Sequence, residues 1–200
     1  MQEESLSRQI VISKTHIDPK NDRLHAVCLG NKPRIYDALG KKLEGTVHVL
    51  SPSEAAAKNQ SETIERQIRD EYIKLLHEIQ PPIIIAKTSD AFLIAPHLNS
   101  LDAWGTVFLG APRKEKFHAE TNRIASSEEI LQGIDEIAGM TAKRVLLIIG
   151  SDLVYTDRIP SNGRVTVQRL NKYPYPKAKT VDLIAYEIRQ WEKQNNKYEF

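Results

Sequence analysis

The sequence predicts an α/β domain in which a mostly parallel, doubly wound sheet carries helices on both faces. Short apolar runs typical of strands alternate along the chain with stretches of helical periodicity, which is the pattern of a parallel sheet covered on both sides. The run Val145–Ile149 is apolar throughout, as expected for a central parallel strand. With 200 residues, the chain suits a single domain over residues 1–200 with a full core.

The first half of the chain begins with two strand-like runs, Arg8–Ser13 and Arg23–Leu29, on either side of residues 18–22. Because those residues include Asp, Pro and Asn, which favour turns, we expect an N-terminal antiparallel hairpin. A short helix, a strand and a long helix should follow, at Ile35–Leu43, Thr46–Leu50 and Glu62–Ile79. The long helix is the clearest element, since its apolar residues recur on one face and two prolines end it.

The second half begins with a strand, Ile83–Ala86, that runs into a tight turn over residues 87–91. A short helix at about Phe92–Leu98 and a buried strand, Thr106–Leu109, should follow. A polar connector over residues 113–125 has no periodicity and is a possible short cap, so any cap is minimal. The remaining expected elements are a helix starting at Ser126 with capping-box spacing, the strands Val145–Ile149 and Arg164–Leu170, and the helix Thr180–Lys193.

Composition and charge exclude several classes of function. Lys and Arg (28) against Asp and Glu (26) leave a net charge of +2, too balanced to favour nucleic acid or an anionic membrane as partner. Glycine patterns for nucleotides and His/Cys spacings for metals are missing, so we expect no cofactor and no metal. Apolar runs are too short for a membrane span or a signal peptide, which favours a cytoplasmic protein. The single cysteine, Cys28, is expected to be a small core residue.

A candidate nucleophile follows the strand at Ile83–Ala86. Ligands and chemistry gather at the carboxyl ends of parallel strands. Residues 87–91, Lys-Thr-Ser-Asp-Ala, lie between a strand and a helix, which is the layout of a nucleophile elbow that holds a hydroxyl exposed. Ser89 is the preferred nucleophile because Ala91 is small, and Thr88 is the alternative. In a different interpretation, Ser89 or Thr88 only caps the following helix.

The order of these segments resembles the α/β-hydrolase fold superfamily over nearly the whole chain. The resemblance rests on Leu29-Gly30-Asn31, Tyr36–Leu39, Ile83–Leu93, Val107–Pro112 and Leu146–Asp152. The first segment stands where that superfamily has its oxyanion loop, the third where it has the elbow, and the last where a strand delivers the acid of the triad. The glycines that usually flank the nucleophile are absent.

The resemblance implies a serine hydrolase that acts on a small-molecule ester or thioester. Ser89 would be the nucleophile, and Asp152 the acid that orients the base, with Asp157 as a fallback. The oxyanion hole would be formed by the Asn31 region and the backbone N–H of Asp90.

The general base is the missing part of this constellation. The superfamily places its histidine between the last strand and the last helix, but residues 171–177 contain none. His118, in the connector, is the expected substitute, and Lys87 or Lys172 is the alternative base. The other histidines fall in expected strands and helices or near the hairpin: His16, His25, His48, His77 and His97. Because a serine without a base is a poor nucleophile, our second hypothesis is a catalytically inactive hydrolase-fold protein that binds a ligand or a protein partner in the same cleft.

Overall fold

The computed structural model describes residues 10–16, 24–30, 33–53, 62–109, 144–150, 165–170 and 177–195. The strands in these ranges are β1 (Ile10–His16), β2 (Leu24–Leu29), β3 (Thr46–Pro52), β4 (Ile83–Lys87), β5 (Gly105–Leu109), β6 (Arg144–Gly150) and β7 (Val165–Leu170). The helices are α1 (Pro33–Leu43), α2 (Glu62–Ile79), α3 (Thr88–Ile94) and α4 (Lys177–Asn195), together with a 3₁₀ helix at Ala95–Ser100.

The described strands form one sheet in the order β1-β3-β2-β4-β5-β6-β7. Strands β2 to β7 run parallel to one another, and β1 pairs antiparallel with β3. The mostly parallel sheet predicted from the alternation of elements is therefore confirmed. Among the described helices, none combines the length and the apolar character needed to cross a membrane.

The predicted hairpin between the first two strands is wrong. Strand β1 pairs with β3, and β2 is hydrogen-bonded to β3 on one side and to β4 on the other. The residues of β2 from Ala26 to Leu29 are fully buried, because helices cover both faces of the sheet there. An unbroken apolar run is typical of a central parallel strand, so β2 has the composition of an interior strand and not of a hairpin arm.

Helices cover the sheet on both faces, as a doubly wound fold requires. On one face, α2 and α3 contribute Tyr72, Leu76 and Ile94 to a core that includes Val27 and Phe108 of the sheet. On the other face, α1 and α4 pack against the alternate strand residues. Their buried side chains there include Tyr36, Leu39, Ile184, Ile188 and Trp191.

The short helix after β4 begins earlier than expected. We predicted a turn over residues 87–91 and a helix at about Phe92–Leu98, but α3 starts at Thr88, directly after the last strand residue. The α-helix then gives way to a 3₁₀ turn with Pro96 near its start, since proline has no N–H to continue the α-helical ladder. The connector at 113–125 and the helix expected from Ser126 lie outside the described residues.

Candidate functional site

The carboxyl ends of β2 and β4 meet at one edge of the sheet. In the parallel register Leu29 stands opposite Ala86, so the next residues of the two strands, Gly30 and Lys87, are neighbours. Helix α3 starts at the same place, since Lys87 is both the last residue of β4 and the residue that precedes the helix. This edge is where an open parallel sheet places its ligands.

Gly30 is closely surrounded at this edge. Its φ of 80° lies in the left-handed region that glycine adopts at low cost. A Cβ atom at this position would collide with Oδ2 of Asp90 and would stand 2.7 Å from Cε of Lys87. The Gly30 N–H donates to the carbonyl of Leu50 at 2.8 Å, which ties the end of β2 to β3. Glycine is therefore required here by both backbone conformation and space.

Asp90 carries a buried carboxyl group in the first turn of α3. The hydroxyl of Tyr72, from α2, donates to Oδ1 of Asp90 at 3.2 Å. Burial raises the pKa of the Tyr72 phenol well above its usual value, and the negative charge of Asp90 raises it further. Tyr72 thus remains a neutral donor to the carboxylate over the physiological pH range.

A second buried tyrosine approaches the end of β2 from the opposite face of the sheet. The hydroxyl of Tyr36, from α1, donates to the carbonyl of Leu29 at 2.8 Å. Burial raises the pKa of Tyr36 as well, with smaller contributions from Cys28 and Asp90. Burial likewise raises the pKa of the Cys28 thiol, which is fully enclosed beside Leu29. Tyr36 thus binds the end of β2 from one face of the sheet, and Tyr72 binds the start of α3 from the other.

The start of α3 changes the interpretation of the hydroxyl residues. Lys87 is the N-cap residue, with extended backbone angles (φ −89°, ψ 170°) and no capping hydrogen bond from its side chain. Thr88 and Ser89 are the first and second residues of the helix itself, so the interpretation in which either is the cap is wrong. The residue at the junction between strand and helix is Lys87.

The structure describes only part of the predicted constellation. It places Ser89 and Asp90 in the first turn of α3, and the Asp90 carboxyl group lies beside Gly30. Asn31, His118 and Asp152 lie outside the described residues, as do the alternatives Asp157 and Lys172. Of the described histidines, His25 is the second residue of β2, at the amino end of the strand, where its Nδ1 lies 3.2 Å from Oε1 of Glu192. The remaining ones lie in β1, β3, α2 and the 3₁₀ helix: His16, His48, His77 and His97.

Sequence reasoning missed two groups at this site. Tyr72 was assigned only to the apolar stripe of its helix, although a hydroxyl on a buried stripe indicates that a polar partner lies within reach. For Asp90 the sequence predicts a role of the backbone N–H alone, whereas the structure shows a buried carboxyl group bound by Tyr72. Within the described part of the chain, no cluster of His, Cys, Asp and Glu is arranged to hold a metal ion.

The chain is similar in structure to known proteins, although no protein-family model and no curated protein matches it. Est1E from Butyrivibrio proteoclasticus superposes with a TM-score of 0.50 at 9% identity, over 92% of this chain and 93% of that one. A hormone-sensitive lipase from a metagenome library superposes with a TM-score of 0.50 at 12% identity, over 94% of this chain and 90% of the lipase. At such low identity the similarity establishes a shared fold.

Proposed function

We propose that this chain, which has the α/β-hydrolase fold, binds a small acyl ligand at the edge formed by β2, β4 and α3 and does not catalyse conventional serine hydrolysis there. The observation that carries the proposal is the position of Lys87. A nucleophile elbow holds its hydroxyl on the turn between strand and helix. Here Lys87 has that place, and the nearest hydroxyl residues, Thr88 and Ser89, follow inside the helix.

The charge of Asp90 also favours binding without turnover. Its carboxyl group packs against Gly30, the residue that precedes Asn31 in the chain. Two like charges about 4 Å apart repel by about 4 kcal/mol at an effective dielectric constant of about 20. An oxyanion-hole donor contributes about 3–4 kcal/mol, so a carboxylate that came as near as this to the oxyanion would offset it. An uncharged acyl ligand does not develop this repulsion, because it forms no oxyanion.

A second candidate is a divergent serine hydrolase acting on an ester or thioester. The observation in its favour is that Ser89 lies in the first turn after β4, at the edge where the fold has its chemistry. In this proposal Ser89 is the nucleophile, Asp152 the acid and His118 the base. The oxyanion would be held by Asn31 and the backbone N–H of Asp90.

Labelling with a fluorophosphonate distinguishes the two candidates. Wild type, Ser89→Ala and Thr88→Ala are incubated with the probe, and the modified residue is located by mass spectrometry. We expect no labelling of Ser89, because a serine without an activating base is a poor nucleophile. Labelling of wild type and Thr88→Ala that Ser89→Ala abolishes would establish the hydrolase and overturn the binding proposal.

Binding is tested by the melting temperature of the protein with methyl butyrate and with S-methyl thiobutyrate at millimolar concentrations. A ligand that binds only the folded state raises stability by RT ln(1 + [L]/Kd), which is about 1.4 kcal/mol at tenfold excess over Kd. We expect a rise in wild type and in Lys74→Gln, an exposed control on α2, and a smaller rise in Lys87→Gln. The proposal would be contradicted if neither probe raised the melting temperature of wild type. It would also be contradicted if the rise in Lys87→Gln equalled that in wild type.

A further inference from the structure

Lys87 carries an amine at the junction of β4 and α3. It is partly buried, and its Cε lies over Gly30, near where a Cβ atom would stand. Within the described residues, the Lys87 ammonium has neither an ion-pair nor a hydrogen-bond partner. An amine that has no partner among the described residues is available to a ligand.

The Asp90 carboxyl group lies near the Lys87 side chain. Oδ2 of Asp90 and Cε of Lys87 both contact the position that a Cβ atom would take on Gly30, so the two side chains are neighbours, although Nζ of Lys87 makes no ion pair with this carboxyl group. Tyr72 holds the carboxylate through its other oxygen, at 3.2 Å. Asp90 is therefore fixed in place while one oxygen faces the lysine side chain.

We propose that Lys87 forms a reversible imine with an aldehyde or ketone bound at the carboxyl ends of β2 and β4, with Asp90 as the group that moves protons. Asp90 takes a proton from the Lys87 ammonium, and the freed lone pair forms a C–N bond to the carbonyl carbon. The carbonyl oxygen receives that proton from Asp90, giving a carbinolamine. The C–O bond then breaks as a second amine proton leaves with the oxygen as water. An ammonium and a carbonyl become an iminium and one water, with no other reactant. This activity is separate from the acyl binding proposed above.

Reductive trapping tests the imine. The folded protein is incubated with limiting butyraldehyde and sodium cyanoborohydride, which reduces an iminium to a stable alkylamine, and each modified lysine is quantified by peptide mass spectrometry. Lys41 and Lys74 serve as internal controls, with side chains 66% and 62% exposed. We expect Lys87 to react at least about tenfold faster than either, because positioned proton transfer contributes about 10²–10⁴-fold in favourable sites.

The role of Asp90 is tested with Asp90→Asn, which keeps an acceptor for the Tyr72 hydroxyl but removes the proton acceptor. We expect Lys87 in this variant to react no faster than Lys41, with an unchanged circular dichroism spectrum. Should the variant fail to fold, the comparison of lysines in wild type still decides. Modification of Lys87 at or below the rate of the exposed lysines overturns the inference. Since adducts at Lys87 and at Ser89 are located separately, this result is independent of the fluorophosphonate outcome.

Discussion

Gly30 is the residue at which both the backbone conformation and the surrounding side chains require a glycine. Gly30→Ala would place a side chain in the left-handed region and against Asp90, so we expect a loss of about 2–4 kcal/mol in the free energy of unfolding. Urea denaturation measures this loss. The control is Ser100→Ala, an exposed hydroxyl bonded to the carbonyl of His97, for which we expect a change within about 0.5 kcal/mol. A similar small change in Gly30→Ala would contradict the described geometry.

The buried phenols of Tyr36 and Tyr72 predict a loss of stability at high pH. Their pKa values are raised in the folded state, so the unfolded chain loses these protons first as pH rises above about 10. The stabilisation is therefore complete below that pH and declines above it, by about 1.4 kcal/mol per pH unit for each tyrosine, until the folded-state pKa is reached.

Denaturant midpoints between pH 8 and pH 11 measure this decline. In Tyr72→Phe, stability should fall less steeply with pH above about 10, because one of the two buried phenols is gone. The substitution also lowers stability at pH 8, because Asp90 loses the hydrogen bond from the Tyr72 hydroxyl. Tyr186→Phe is the matched control, because this ring is 59% exposed, and it should keep the wild-type slope. An unchanged slope in Tyr72→Phe would refute the assignment.

At the scale of elements, α4 is held to the sheet by apolar burial more than by surface charge. Trp191 is 7% exposed and its ring fills the space above Gly105, whereas the ion pair between Lys42 and Asp182 is exposed. We expect Trp191→Ala to cost about 3–5 kcal/mol, since it removes a large buried ring. Asp182→Asn should cost less than about 1 kcal/mol. Equal losses by urea denaturation would show that the helix docks differently.

At the scale of the whole molecule, the position of β1 is tested by a crosslink. Val11 and Ser51 are opposite each other in the β1–β3 ladder, and such partners lie about 4.5–5.5 Å apart, within disulfide range. We expect Val11→Cys with Ser51→Cys to crosslink on mild oxidation, as seen on a non-reducing gel. Val11→Cys with His25→Cys should not, because β3 lies between β1 and β2 and the separation exceeds about 7 Å. A crosslink in the second pair alone would show that β1 pairs with β2, as in the predicted hairpin.

Much of the sheet could be predicted from local pattern. The strands at Thr46–Pro52, Ile83–Lys87 and Gly105–Leu109 lie within a residue or two of the expected ranges, because burial on both faces leaves an unmistakable apolar run. The start of α3 could not be predicted in this way. A polar run such as Lys-Thr-Ser-Asp fits a turn and the first turn of a helix equally well.

The sequence by itself determined the alternation of strands and helices, the parallel sheet and the lack of a histidine in residues 171–177. Tertiary structure decided the pairing of β1 with β3 and the contact of Tyr72 with Asp90, residues 18 apart. It also placed Lys87 at the junction beside Gly30. The physical reason is that periodicity reports which residues are buried, whereas partners across a sheet or between helices are chosen by the packing of the whole chain.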